Sequence, residues 1–226
     1  MYVLQIMHTA CMSNSREKKM TKKKPTTKKA QAAATTKRLI RIATKEFQSK
    51  GYAAASTEAI VQRAKVTRGA LYHHFKDKKD LFRAVFIEAQ KEIGRRIERE
   101  SVQSDDLWQA LVSGSMAFLK ACTDPGLQQI VVIDGRSVLG WNAFRDLDET
   151  TEGGSYAQLQ GCLAELIEQG LIADVSAEPL THLLSGAMDE VAVWVSQSEN
   201  PEQALTEAQQ SLAAMLHGLK KQSGLS

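Results

Sequence analysis

The segment KVTRGALYHHFKDKKDLF, residues 65–82, concentrates side chains that can ligate metals, transfer protons or contact phosphate. Its two adjacent histidines, His73 and His74, raise the possibility of a metal site. On a helix, however, neighbouring side chains point about 100° apart, whereas zinc-binding histidine pairs favour i,i+4 spacing. No Cys, Asp or Glu stands beside them at ligand spacing. The spacing of His73 and His74 therefore argues against a metal site.

A helical wheel of residues 68–75 separates an apolar face from a polar one. At about 100° per residue, Leu71 and Phe75 share a core-facing side. The opposite face holds Arg68 at its N-terminal edge, Gly69, Ala70, Tyr72 and His73. Small residues let a helix enter a groove deeply, Arg reads guanine bidentately, and Tyr and His contact phosphates or base edges. This pattern predicts a DNA recognition helix, with His74 either packing or contacting DNA.

Four predicted helices position these side chains. The first starts near residue 33, carries apolar residues at three- and four-residue spacing, and ends at Gly51 as C-cap. The second runs through EAIVQRA with Ser56 or Thr57 as N-cap, and the third is the recognition helix. Asp77 caps the fourth, with Asp80 in a capping-box position. Two short helices joined by a three-residue turn predict a helix-turn-helix.

Charge divides the chain into two unlike parts. Residues 1–99 hold 24 Lys and Arg against 8 Asp and Glu, whereas residues 100–226 hold 5 against 18. A basic part beside an acidic part predicts a module that binds a polyanion, joined to a domain that avoids one. A solvated basic surface without a partner is the alternative.

Composition favours a helical protein of the cytoplasm. Ala, Leu, Gln, Glu and Lys are abundant, and no apolar run approaches the roughly 18 residues that span a bilayer. The three cysteines are far apart and in no metal-ligand spacing, which favours free thiols in a reducing compartment. Residues 1–32 are lysine-rich and predict a disordered arm that either attracts phosphate or is simply a solvated tail.

The segment AKVTRGALYHHFKDKKDLF closely resembles the DNA-binding signature of the tetracycline-repressor (TetR) family of bacterial transcriptional regulators. The preceding RLIRIATKEFQSKGYAAASTEAIVQ is similar to the upstream part of the same module, so that the resemblance covers about residues 35–85. One position departs from it: Lys65 stands where the family usually has a turn glycine. A left-handed conformation at Lys65 would cost about 1 kcal/mol.

The resemblance implies which residues contact DNA. In the family, the hydroxyl that caps helix 2 and the lysine that opens helix 4 grip phosphates, while the recognition helix enters the major groove. Free amide donors at helix N-termini make phosphate contacts physically reasonable. The expected DNA-binding residues are Ser56, Thr57, Thr67, Arg68, Gly69, Ala70, Tyr72, His73, His74 and Lys78.

The acidic part predicts six further helices, separated by Pro125, Gly140, Gly153-Gly154, Gly170 and Asn200-Pro201. Its last two helices are amphipathic and either pack only internally or pair with a second copy. Family members dimerise through their last two helices, so the resemblance implies a homodimer. The expected interface residues are Leu184, Met188, Val191, Trp194, Leu205, Leu212, Met215, Leu216 and Leu219.

The resemblance also implies a small-molecule effector bound in the C-terminal domain. Few positive charges and several aromatic residues in this part predict an apolar, neutral or cationic compound, bound within about residues 105–185. Ordinary core packing is the favoured interpretation of each lining candidate, and Asp134 or Arg136 could equally form a salt bridge at a helix end. The candidates are Trp108, Met116, Phe118, Cys122, Asp134, Arg136, Trp141 and His182.

These expectations describe an all-α protein with three regions. They are a basic arm (1–32), an N-terminal three-helix helix-turn-helix DNA-binding domain (33–78), and a larger helical C-terminal ligand-binding and dimerisation domain (79–226). The favoured function is a dimeric repressor that a small-molecule effector releases from a palindromic operator, without a cofactor or membrane partner. The alternatives are an activator or architectural DNA-binding protein without an effector, and an enzyme that carries a DNA-binding domain. No nucleophile elbow, phosphate loop or metal cluster supports the enzyme.

Overall fold

The computed structural model describes residues 27–101 and 106–221 as a helical protein, which confirms the predicted all-α class. Within these ranges the extended structure is limited to an isolated bridge between Ile172 and Lys220. A π-helical segment, Gln128–Asp134, lies between α6 and α7. The helices are α1 Lys28–Ala54, α2 Thr57–Ala64, α3 Arg68–His74, α4 Lys78–Ser101, α5 Leu107–Cys122, α6 Pro125–Leu127, α7 Gly135–Leu139, α8 Trp141–Thr150, α9 Ser155–Glu168, α10 Ala177–Gln197 and α11 Pro201–His217.

The described residues divide after Lys37 into two compact units, the first of which comprises residues 27–37. In the first unit, α1 begins at Lys28, where the Thr27 hydroxyl accepts the N–H of Ala30 at 3.2 Å. Residues 28–32 are therefore helical rather than part of the predicted arm, because a hydroxyl cap precedes a run of strong helix formers. Residues 1–26 lie outside the described residues.

The helix-turn-helix is built on an aromatic core within the second unit. The rings of Phe47 in α1 and Phe82 in α4 meet edge-on at 5.2 Å between centroids, and Tyr52 lies 5.3 Å from Phe82. Burial of each large apolar side chain contributes about 1.5–3 kcal/mol, so this core fixes α2 and α3 against α1 and α4. Its other buried members include Leu39, Ala43, Ile60, Ala64, Leu71, Phe75 and Leu81.

A buried carboxylate adds a polar link between α1 and α2. The side chain of Glu46 has no exposed surface and lies 2.7 Å from Lys50 Nζ and 2.8 Å from Arg63 Nη1. The hydrogen bond with Lys50 lowers the pKa of Glu46 more than burial raises it, so the group is ionised at neutral pH. Gly51, at φ 70°, interrupts the helical backbone at the predicted C-cap position, and α1 continues beyond this kink to Ala54.

The long helix α4 connects the helix-turn-helix to the C-terminal helices. Its apolar residues recur at three- and four-residue spacing and are buried along the whole helix. At Gly94 a Cβ atom would overlap the carbonyl oxygen of Gly153, so only glycine permits this approach of α4 to the α8–α9 turn. Gln158 Nε2 secures the contact by donating to the Gly94 carbonyl at 3.1 Å.

The predicted helix over residues 126–140 forms, but its centre is π-helical. Asp124 Oδ1 accepts the N–H groups of Gly126 and Leu127 at 3.0 and 3.2 Å, and Pro125 occupies the first turn. The π segment ends at Asp134, whose Oδ2 accepts the Tyr52 N–H at 2.8 Å. Gln129 Nε2 donates to the same oxygen at 3.0 Å. The π segment is thereby bonded directly to the junction between α1 and α2.

The last two helices pack against each other and against the C-terminal core. Asn200 caps α11 through the N–H of Gln203 at 3.3 Å, and Pro201 opens the helix. Leu184, Met188, Leu212 and Leu216 are buried in this packing. In the two described ranges, no helix has the length and apolar character needed to cross a bilayer.

Candidate functional site

The helix α3 presents the two faces that the sequence predicts. Thr67 begins it, its Oγ1 accepting the N–H of Ala70 at 3.1 Å. Leu71 and Phe75 are buried, whereas Tyr72 is 39% exposed. Arg68, Gly69 and His73 are also exposed, while His74 is half-buried. The exposed side combines hydrogen-bonding groups with a glycine, which suits a helix that enters a major groove.

The turn before α3 depends on an unusual backbone conformation. Lys65 has φ 52° and ψ 46°, and its N–H donates to the Gln62 carbonyl at 3.1 Å. Among the described non-glycine residues, only Lys65 has a positive φ. The left-handed turn expected at this position is therefore present despite the lysine, at a cost of about 1 kcal/mol.

Arg68 is held loosely at the start of α3. Its Nη1 lies 3.5 Å from Glu58 Oε1, and its guanidinium carbon lies 5.6 Å from the centre of the Tyr72 ring. The Arg68 side chain remains 68% exposed. Exposed ion pairs contribute little to stability, so an approaching base or phosphate would compete readily with Glu58.

The expected phosphate contacts lie at the starts of α2 and α4. Ser56 caps α2, its hydroxyl accepting the Ala59 N–H at 3.2 Å, and the Thr57 hydroxyl donates to Glu58 at 3.3 Å. Lys78 Nζ lies 4.6 Å from the centre of the Tyr52 ring and donates to the Ala53 carbonyl at 3.3 Å. The Tyr52 ring thus orients the amine of Lys78 at the first turn of α4.

The packing of the protein itself does not require glycine at position 69. A Cβ atom at this position would meet only the Thr67 hydroxyl, at 3.9 Å, so the protein itself leaves room for a side chain. Glycine is the weakest helix former after proline, which makes its presence in a seven-residue helix unfavourable. Close contact between α3 and the DNA major groove would account for the glycine.

We expect Gly69→Leu to leave the fold intact and to weaken operator binding at least tenfold, about 1.4 kcal/mol, because the added side chain points toward the groove. Circular dichroism melting and fluorescence anisotropy with labelled duplex measure the two effects. Lys91→Leu, an exchange on α4, is the control for added apolar surface. Unchanged operator affinity in Gly69→Leu would show that α3 does not approach DNA closely.

The adjacent histidines do not form a metal cluster. The ring centroids of His73 and His74 are 5.5 Å apart and tilted by 69°. Throughout residues 27–101 and 106–221, no three His, Cys, Asp or Glu side chains are grouped for metal binding.

The structure does not bring the eight effector candidates together. Trp108, Phe118 and Cys122 are buried in the core, whereas Met116 is half-buried and Trp141 is 58% exposed. Asp134 is engaged by Tyr52, as described above. Arg136 stacks over the Trp141 ring at 5.3 Å. His182 Nδ1 lies 3.1 Å from an Arg145 nitrogen.

A small cavity nevertheless includes two of the candidates. Its volume is about 10 Å³, room for a single water molecule. Cys122 and Arg136 line it together with Asp189 of α10 and five apolar residues: Val131, Val132, Phe144, Ala192 and Val193. The effector assignment of the eight candidates stays a prediction.

Sequence reasoning missed the buried charges beside this cavity. Asp148 of α8 is 4% exposed, and the side chain of Asp189 is 12% exposed. Burial and the neighbouring Asp189 raise the pKa of Asp148 to about 7. Burial also raises the pKa of Asp189, against the lowering effect of Arg136 and Arg145. The sequence feature that could have revealed them is an acidic residue within the apolar stripe of α8 and of α10.

The residues predicted for the dimer interface divide into a buried and an exposed set. Leu184, Met188, Leu212 and Leu216 belong to the core of the monomer. Val191, Leu205 and Leu219 are partly buried against that core. Trp194 and Met215 remain exposed, together with Leu183, which is 71% exposed. The assignment of these residues to a dimer interface stays a prediction.

A helix-turn-helix with an exposed recognition face, joined through α4 to a larger helical domain, defines a DNA-binding transcriptional regulator. Residues 39–85 match the family of bacterial regulatory proteins, tetR family, and residues 108–219 match the tetracyclin repressor-like, C-terminal domain. The chain belongs to the tetracycline-repressor (TetR) family.

Individual relatives agree with this assignment. A TetR-family transcriptional regulator from Pectobacterium atrosepticum is 31% identical, with 88% of this chain and 100% of that chain covered and a TM-score of 0.76. The Transposon Tn10 TetC protein of Escherichia coli is 28% identical over 160 residues, covering 71% of this chain and 79% of TetC. The transcriptional regulator FadR from Bacillus subtilis, solved in complex with stearoyl-CoA, shares the fold at 20% identity and a TM-score of 0.61, covering 80% of this chain and 96% of FadR.

Proposed function

We propose that the protein is a dimeric repressor that binds a palindromic operator and is released from it by a small-molecule effector. The observation that carries the proposal is the exposed face of α3, with Arg68, Tyr72 and His73 directed to solvent above a buried Leu71. In this proposal α3 reads the major groove, and Ser56, Thr57, Thr67 and Lys78 hold the phosphates on either side.

The exposed apolar surface on α10 and α11 supports pairing of two chains. It includes Leu183, Trp194 and Met215, and family members form dimers. A symmetric pair of helix-turn-helix modules reads two half-sites about one DNA turn apart, which is why a dimer implies a palindrome.

Effector control is supported by the cavity in the C-terminal domain and by its link to the DNA-binding helices. Val131 and Val132 of the π segment line the cavity, while Asp134 at its end binds the Tyr52 N–H. The similar FadR was solved with a bound small molecule, stearoyl-CoA. For release, the effector must bind the DNA-incompetent conformation more tightly than the competent one.

Selection of binding sites from random duplexes tests the DNA part. We expect an enriched palindrome with half-site centres about 10 bp apart, protected in footprinting by two chains per duplex. A single enriched half-site occupied by one chain would contradict the dimeric repressor. With the operator in hand, the loss of binding on addition of compounds tests effector release. Operator binding that no compound in a broad library weakens would favour an architectural protein.

A further inference from the structure

An acidic side chain lies among the residues proposed to contact DNA. Glu58 is the second residue of α2, and its side chain is 66% exposed. Like charges repel, so a carboxylate on a surface that meets phosphates should weaken binding. The N-terminal end of a helix favours acidic residues, which is an explanation that involves no DNA. The contacts that Glu58 makes indicate a further role.

Glu58 contacts three of the expected DNA-binding residues. The hydroxyls of Ser56 and Thr57 donate to its Oε2 at 3.2 and 3.3 Å. Its other oxygen, Oε1, lies 3.5 Å from Arg68 Nη1, so the carboxylate links the first turn of α2 to the first turn of α3. The hydrogen bond with its own backbone N–H and those from the two hydroxyls lower the pKa of Glu58, so the group is ionised at neutral pH. A full negative charge therefore lies beside three groups that are proposed to bind DNA.

The three contacts respond differently to DNA because their donors differ in number. A hydroxyl has one hydrogen, so Ser56 or Thr57 cannot donate to a phosphate while it donates to Glu58. A guanidinium has five N–H donors, so Arg68 can remain beside Glu58 through Nη1 while its other N–H groups reach a base. The ring of Tyr72 lies 5.6 Å from the guanidinium carbon and attracts it from another side. Glu58 thus competes with phosphates but not with a base that Arg68 reads.

We propose that Glu58 is a specificity-determining residue, which orients Arg68 toward a base edge and penalises DNA that offers only phosphates. This inference rests on the proposed function, in which α3 reads the major groove of an operator. Complexes with unrelated DNA depend on phosphate contacts, and the charge of Glu58 opposes them. In the operator complex Arg68 pairs with both the base and Glu58, which offsets the repulsion. Glu58 therefore lowers the affinity for unrelated DNA more than the affinity for the operator.

Glu58→Gln removes the charge and retains an amide oxygen that can accept from the two hydroxyls. The probes are the palindrome enriched from random duplexes and a scrambled duplex of equal length and composition, titrated by fluorescence anisotropy at one salt concentration. We expect affinity for the scrambled duplex to rise about fivefold, the effect of one charge a few ångströms from a phosphate in water. Operator affinity should rise less or fall, because the ion pair with Arg68 is lost, so that the ratio of the two affinities decreases about threefold or more.

Glu98→Gln is the matched control, because it makes the same change of charge at an exposed position of α4, about 30 Å from the first turn of that helix. At that distance salt screens the charge, so both affinities should match those of the wild type. The variant Arg68→Ala, alone and combined with Glu58→Gln, tests whether the effect passes through the guanidinium. Without Arg68, loss of the Glu58 charge should strengthen both complexes alike and leave the ratio unchanged.

The alternatives give different results in these titrations. Equal changes in affinity for both duplexes, or a decrease in the ratio that persists in the Arg68→Ala background, would overturn the inference. Wild-type affinities with a lower melting temperature in circular dichroism would also overturn it, and would show that Glu58 serves only the first turn of α2. A wild-type protein that binds the palindrome and the scrambled duplex equally would contradict the proposed regulator itself, and with it the role of Glu58.

Discussion

Trp194→Glu is expected to convert the protein from a dimer to a monomer and to remove most of its operator affinity. The indole of Trp194 is 50% exposed on α10, which also carries the exposed Leu183, and the neighbouring α11 carries the exposed Met215. A carboxylate in the centre of an apolar interface loses its hydration without gaining a partner, at a penalty of several kcal/mol. A dimerisation constant weakened by that amount leaves single chains, each of which contacts only one half-site.

Sedimentation equilibrium at micromolar chain concentration and anisotropy with operator duplex measure these two effects. Val175→Glu is the control, because Val175 is 47% exposed but lies in the connection between α9 and α10. It should remain dimeric and bind the operator normally. A Trp194→Glu protein that stays dimeric with wild-type operator affinity would place the interface elsewhere.

Arg68→Ala is expected to reduce specific operator affinity by about 1–3 kcal/mol and to relax the preference for the bases it contacts. Arg68 is 68% exposed at the N-terminal end of α3, where it contacts the exposed Glu58 and the Tyr72 ring. His73→Ala should act in the same direction, because its imidazole lies on the same exposed face.

Lys78→Ala should instead weaken binding to all sequences alike and lower the slope of affinity against salt by about one, because the amine is proposed to contact phosphate. Lys91→Ala, thirteen residues further along α4 and about 20 Å away, is the control. Titrations of operator and mutated duplexes across salt concentrations separate the two behaviours. The proposed docking of α3 would be wrong if Lys78→Ala altered base preference and Arg68→Ala did not.

The helix-turn-helix was predictable because its signals are local. Ser56 and Asp77 cap the helices that the sequence assigns to them, with Asp77 Oδ1 accepting the Asp80 N–H at 2.7 Å. Gly51 breaks the helical backbone of α1 at the predicted position, and the buried residues of α3 follow from helical periodicity. Each of these features depends on residues within four positions of one another, so a single sequence contains the information.

The features of the C-terminal domain that matter for binding are long-range and were not predictable. The π segment was not predictable, because its sequence QQIVVID contains no proline or glycine that would mark a departure from the α-helix. Asp134 was a candidate for ligand contact, yet its partner Tyr52 lies 82 positions earlier in the chain. Gln90, Asp148 and Asp189 likewise come together from three helices. An acidic residue in an apolar stripe was visible in α8 and in α10, but the proximity of the two was not.

The hydrogen bond between Asp134 and Tyr52 has a consequence for genetics. In a reporter selection for variants that repress but no longer respond to inducer, Asp134 substitutions should be recovered beside substitutions in the cavity. Their phenotype would resemble loss of inducer binding, although the carboxylate contacts the DNA-binding helices and not the cavity. A direct measurement of ligand affinity would separate the two groups, because Asp134 variants should still bind the inducer. Under the proposed effector control, residues that transmit the signal and residues that receive it would therefore share one phenotype.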